Sequence, residues 1–118
     1  MISRQHRFQG RDSMRHVYRY GKIARNSSLA VRYLLNSKRQ EFRVVVVVSK
    51  KISKSAVVRN RIRRRIYAIL SAHKTNITQP YDVVVSVYNE QLASMEAAKL
   101  EILVTNLLKN AGIMSPPK

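Results

Sequence analysis

The sequence predicts a single α+β domain built on a sheet of about four strands, and three observations carry that reading. Residues 42–49, FRVVVVVS, hold five successive β-branched residues, a run that suits a pleated strand better than a helix. In residues 56–73 and again in residues 94–110, apolar side chains recur at steps of three and four, as on one face of a helix. With the remaining β-rich segments the order becomes helix, two or three strands, helix, strand, helix, with no repeat or linker between them. At 118 residues the chain builds one core, which buries about two thirds of the surface of the unfolded chain.

Taken in order, Asp12 or Ser13 is expected to cap a first helix whose apolar side is Met14, Val17 and Tyr18, and Gly21 to end it in a left-handed conformation. Residues 28–35, SLAVRYLL, read as a strand, and polar residues 36–41 as a turn. The valine run that follows is expected at the centre of the sheet. After a loop at 50–55 comes AVVRNRIRRRIYAILSAH, with Val58, Ile62, Ile66, Ile69 and Leu70 on one helical stripe. Asn60, Arg61, Arg63 and Arg64 lie around the rest of the wheel, while Arg59 and Arg65 fall at the stripe's edges, where their stems can lie along apolar surface. Pro80 and its neighbours break that helix, and residues 81–88, YDVVVSVY, form another strand. Ser94 is expected to cap a last helix with Leu100, Leu103, Val104, Leu107 and Leu108 on its inner face and Gly112 beyond its end. Residues 113–118 are expected to be a flexible tail.

Charge is the dominant functional signal. Lys and Arg number 23 against six acids, a formal net charge of +17 that opposes compaction unless a polyanion relieves it. Residues 1–80 hold 20 of those cations with only Asp12 and Glu41, whereas residues 81–118 hold three lysines and four acids. The polyanion surface therefore belongs to the first two thirds of the chain. A hydrophobic content of 45% argues for a folded module over a disordered basic arm.

Several classes are disfavoured on the same grounds. Cysteine is absent, which removes disulfides, thiolate metal sites and cysteine nucleophiles. The longest apolar run, residues 44–48, falls far short of the roughly 20 residues that span a bilayer. A membrane-surface helix would want bulky anchors, and there is no Trp. No signal-peptide core precedes the basic region, so a cytoplasmic protein is expected. His6, His16 and His73 lie in three segments without metal-ligand spacing, the acids are scattered singly, and Gly10, Gly21 and Gly112 form no phosphate loop. No catalytic and no metal-binding residue is assigned to the polypeptide.

Five arginines occupy seven consecutive positions, Arg59, Arg61, Arg63, Arg64 and Arg65, a density suited to bidentate contact with phosphate oxygens. A merely soluble helix face would intersperse acids at steps of four, and none occurs between Glu41 and Asp82. Lys50 and Lys51 extend the same positive region toward the helix start. Tyr18, Tyr20 and Tyr33, in the basic part of the chain, are candidates to stack on unpaired bases or else ordinary core and surface rings. Polybasic helices also occur in ribosomal and DNA-binding proteins, so charge by itself fixes a polyanion and not its identity.

The string RVVVVVSKKISKSAVVRNRIRRRIYAIL (43–70) resembles the signature of the bacterial ribonuclease P protein: a valine-rich strand ending in Ser-Lys-Lys, a short loop, then Arg-Asn-Arg opening a basic helix. Arg7-Phe8, a first helix ending at Gly21, and the Tyr81-Asp82 strand followed by an amphipathic helix extend the resemblance over most of the chain. The resemblance implies an α-β-β-β-α-β-α order with a left-handed βαβ crossover. It implies the protein subunit of a ribonucleoprotein that removes the 5′ leader from precursor tRNA, with ribonuclease P RNA supplying the metal-dependent chemistry. In that reading Mg2+ is held mainly by the RNA and none tightly by the polypeptide, and no obligate protein partner or membrane is involved. By position, Arg59, Asn60, Arg61, Arg63 and Arg64, with Lys50 and Lys51, are expected to face the catalytic RNA. Met14, Tyr18 and Arg32 fall at positions of the cleft that takes the leader. Met14 stands where relatives often have an aromatic ring, and Ser53-Lys54-Ser55-Ala56 lacks the glycine many relatives carry in that loop.

Three rivals differ in what they require. A ribosomal or RNA-assembly protein would bind structured RNA without regard to a leader. A DNA-binding regulator using residues 56–73 for recognition would want a helix-turn-helix partner, which strands on both sides of the basic helix disfavour. A self-sufficient nuclease would need an acid cluster to hold metal ions.

Overall fold

The computed structural model describes residues 11–114, with side chains described from Met14 onward. Helix α1 (Arg11–Tyr20) is followed by strands β1 (Lys22–Arg25), β2 (Leu29–Leu35) and β3 (Arg43–Val47), helix α2 (Ala56–Ala72), strand β4 (Tyr81–Val87) and helix α3 (Ala97–Asn110). One-turn 3-10 helices at Lys74–Asn76 and Glu90–Ala93 join the last elements. The four strands form one sheet in the order β1-β2-β4-β3, antiparallel except for the β3–β4 pair, which α2 connects as a crossover.

Because side chains alternate across a strand, the register assigns each residue to a face. Leu29 and Val31 of β2, Val44 and Val46 of β3, and Val83, Val85 and Val87 of β4 share one face and form the main core with Ile62, Ile66 and Leu70 of α2 and Leu100, Val104, Leu107 and Leu108 of α3. Full burial of aliphatic chains such as Ile62 and Ile66 stabilises the α2 docking by about 1.5–3 kcal/mol each. The opposite face carries a smaller cluster, where Val17 of α1 sits on Val84 with Met14, Leu34, Val45 and Val47 around it. The sheet thus separates α1 from α2 and α3.

The valine run was expected in the middle of the sheet, and it is an edge strand instead. Its burial alternates, because α1 packs over β2 and β4 and leaves Val45 and Val47 half-exposed. The strand buried at nearly every position is β4, whose continuous apolar character carried the same signal. At the outer edge of β3 the Tyr67 hydroxyl of α2 accepts the Val46 N–H at 3.0 Å.

Several termini also differ from expectation. Asp12 and Ser13, expected to cap α1, lie within the described helix and do not stand before it. Gly21 is not left-handed; the only positive φ among the described residues is that of Gly112, at 81°. Gly21 is required by proximity: its N–H donates to the Val17 carbonyl at 2.8 Å, and a Cβ there would stand 2.5 Å from Val17 O and 2.8 Å from Tyr33 O. Both obstacles are backbone, so Gly21→Ala is expected to cost about 1–3 kcal/mol by urea unfolding.

Ser94 ends the second 3-10 turn, and Glu96 is the N-cap residue of α3. Two residues expected in a flexible tail are packed against the core. Ile113 and Met114 are buried, and their N–H groups both donate to the Leu108 carbonyl, a helix-end wrap that left-handed Gly112 makes possible. Residues 115–118, like His6, Arg7 and Phe8, lie outside the described residues.

Candidate nucleic-acid interface

Helix α2 starts where Ser55 Oγ accepts the Val58 N–H at 3.2 Å, and its buried stripe fixes which way the remaining residues point. Asn60, Arg61 and Arg64 form an exposed ridge along the helix, continued toward its start by Val57. Arg63, half-buried, donates to Asn60 Oδ1. Lys50 and Lys51 stand exposed in the turn that leaves β3.

The five arginines do not act alike. Arg59 is half-buried and donates from Nη1 to the Ser53 carbonyl at 2.8 Å, tying the loop to the first turn of the helix. Ser53 Oγ further accepts the Ser55 N–H at 3.3 Å. The glycine missing from this loop is not needed, since none of its residues has a positive φ. Arg65 turns inward, donating to the Leu92 carbonyl at 2.6 Å and to that of Met95. Its position at the stripe's edge was the sequence signal for this role.

Arg65→Ala is expected to cost about 2–3 kcal/mol in urea unfolding, because two carbonyls lose a charged donor. The salt dependence of RNA binding should stay unchanged, which separates Arg65 from the exposed ridge.

On the other face of the sheet, the Arg32 guanidinium lies 4.6 Å from the centroid of the Tyr18 ring, and Tyr18 is 45% exposed. Met14 packs into the cluster of Val84, Val45 and Val47 on that face. The three residues expected in the leader cleft therefore share one surface, with half-exposed Val45 and Val47 extending its floor. Tyr33 belongs elsewhere: it packs against the main core, edge-on to Tyr81 at 6.0 Å, and is a core ring.

Acidic chemistry is sparse. Asp82, 4% exposed, accepts from Arg43 Nε and Nη2, both at 2.8 Å, and from Asn36 Nδ2 at 3.1 Å. Glu101 pairs with His73 at 2.8 Å. Among the described residues no three His, Asp or Glu side chains come together as a metal seat. The acidic side chains among the described residues do not fit a tightly held divalent ion. No helix of the described residues is long and apolar enough to cross a membrane.

The sequence model of the family described as Ribonuclease P matches residues 2–112. A Ribonuclease P protein component of Synechocystis is 39% identical over 98 residues, covering 83% of this chain and 78% of its own. One from Clostridium novyi is 34% identical over 113 residues, with 95% and 98% covered. The RNase P protein structure of Staphylococcus aureus superposes with a TM-score of 0.83 at 25% identity, covering 93% of this chain and 98% of that one. The Thermotoga maritima protein, at 23% identity and a TM-score of 0.78 over 88% and 96% of the two chains, shares the fold.

Proposed function

The chain belongs to the ribonuclease P protein family, and on that premise we propose that it binds the catalytic RNA through α2 and the 5′ leader of precursor tRNA through the α1 face of the sheet. The family takes part in ribonuclease P and so in tRNA processing, with an RNA partner, which leaves the ribosomal and DNA-binding alternatives without support.

One observation supports the division of labour. The ridge of Asn60, Arg61 and Arg64 and the surface of Tyr18, Arg32 and Met14 stand on helices and strands that the sheet holds on opposite faces. Two RNA strands can then be gripped at once without competing for the same cations. In this reading Arg61, Arg64, Lys50 and Lys51 neutralise phosphates of the catalytic RNA, with Arg63 and Asn60 beside them. Arg59 contributes what its Ser53 contact leaves over and fixes the loop that presents the lysines. Tyr18 and Arg32 offer a stacking surface for an unpaired leader base, and Met14 offers an apolar contact in place of a ring.

Bond cleavage is left to the RNA, and Mg2+ held by that RNA would supply the activated water and the charge stabilisation. The polypeptide's own part is electrostatic and positional: it lowers the repulsion between two polyanions and holds the leader in register. Such a subunit works in the cytoplasm, beside its RNA partner.

The test adds the purified chain to the catalytic RNA at low magnesium and measures cleavage of precursor tRNA. Stimulation should increase with the presence of a leader several nucleotides long. Equal affinity of the assembled complex for tRNA with and without a leader would remove the leader assignment.

A further inference from the structure

Helix α1 has a second flank that the leader surface does not use. Tyr20 is 58% exposed, its ring centroid 4.9 Å from that of His16 in a tilted contact, and the Arg19 guanidinium lies 5.4 Å from its centroid. His16 opens onto a cleft of about 400 Å3 whose far wall is the Asn36–Lys38 turn.

The flank is separate from the Tyr18 side. On an α-helix, residues 16 and 20 project one turn apart along one side, while 14 and 18 line the other. Val17 between them is planted on Val84, so α1 stands as a wall between two troughs. The row of the sheet beneath this flank is Leu34, Asp82 and Arg43, whereas Arg32 and Val84 belong to the next row.

The chemistry of the flank fits an unpaired polyanion. The cleft's acid, Asp82, is already engaged by Arg43 and Asn36, so it repels an incoming phosphate weakly. Lys38 stands exposed on the turn that lines the cleft with His16, and Arg19 lies beside Tyr20 on the helix, so each exposed ring has a cation on its own side. Rings flanked by cations suit single strands, whose bases are open to stacking, and not duplexes, whose bases are already stacked.

We propose that this flank of α1 is a second subsite for single-stranded RNA. A base stacks on the Tyr20 and His16 rings, and Arg19 and Lys38 take the adjoining phosphates. The inference rests on the reading of the chain as an RNA-binding subunit. The strand is either a distal part of the leader or an unpaired segment of the catalytic RNA, which share this chemistry.

The test uses the full chain assembled with catalytic RNA, comparing wild type with Tyr20→Ala combined with Lys38→Ala. One arm measures the affinity of the chain for catalytic RNA alone, the other the affinity of the complex for precursor tRNA with a long leader against mature tRNA. A loss of about tenfold is expected in one arm, and which arm identifies the source of the strand. Tyr20→Phe alone should retain wild-type affinity, since the ring is kept. Circular dichroism checks that the variants fold; if the double variant does not, Tyr20→Ala alone is measured in both arms. Affinities within about twofold of wild type in both arms, from a folded variant, overturn the inference. If the wild-type chain itself neither binds catalytic RNA nor stimulates cleavage, the parent reading fails instead.

Discussion

Replacing Arg61 and Arg64 together by alanine is expected to weaken binding to the catalytic RNA by roughly a hundredfold at low salt, two charged contacts of about 1.5 kcal/mol each. Both side chains are exposed on the outer ridge of α2, so the fold should survive their loss. Each phosphate contact releases counterions, and two lost contacts should reduce the slope of log affinity against log salt by about 1.4. A salt titration by filter binding reads both quantities. An unchanged slope would show that the ridge does not face RNA phosphates, whatever happened to the affinity.

Asp82→Ala is expected to cost about 3–5 kcal/mol in urea unfolding. The carboxylate is buried at the start of β4 and receives both Arg43 and Asn36. Removing it takes away the carboxylate to which the Arg43 guanidinium, 17% exposed, donates across two parallel strands. Replacing Arg43 as well by a similarly sized apolar residue should recover part of the loss, because the pair is then exchanged for packing. Failure of the double variant to regain stability would indicate that the ladder at the β3–β4 junction depends on the pair itself.

The helices were legible because their apolar periodicity is a one-dimensional trace of a three-dimensional face. Ile62, Ile66 and Leu70, and likewise Leu100, Val104 and Leu108, are buried as their spacing requires. Strand β1 was not located, since Lys22–Arg25 has four residues with charged ends and no alternation long enough to read. The sheet order was not legible either: runs of valine state that a strand is apolar, and whether it is flanked on both sides depends on pairing with residues some 40 positions away.

The basic helix showed its charge plainly but not its division of labour. Arg65 differs from Arg64 by one position, yet a turn of about 100° per residue sends one to backbone carbonyls and the other to solvent. Tyr33, like Tyr20, follows an arginine in the basic part of the chain, and the strand register assigned it to the core.

The bond from Val46 N–H to the Tyr67 hydroxyl ties two hazards together. A valine-rich border strand with unanswered amides is a template on which a second copy can crystallise its own backbone, the first step toward insoluble ribbons. Here the guard over that border is carried by the very helix whose outer side bears the guanidinium ridge. On the proposed reading, RNA that clamps the ridge should also hold the border shut, and an excess of RNA during refolding is expected to reduce self-association, as light scattering would register.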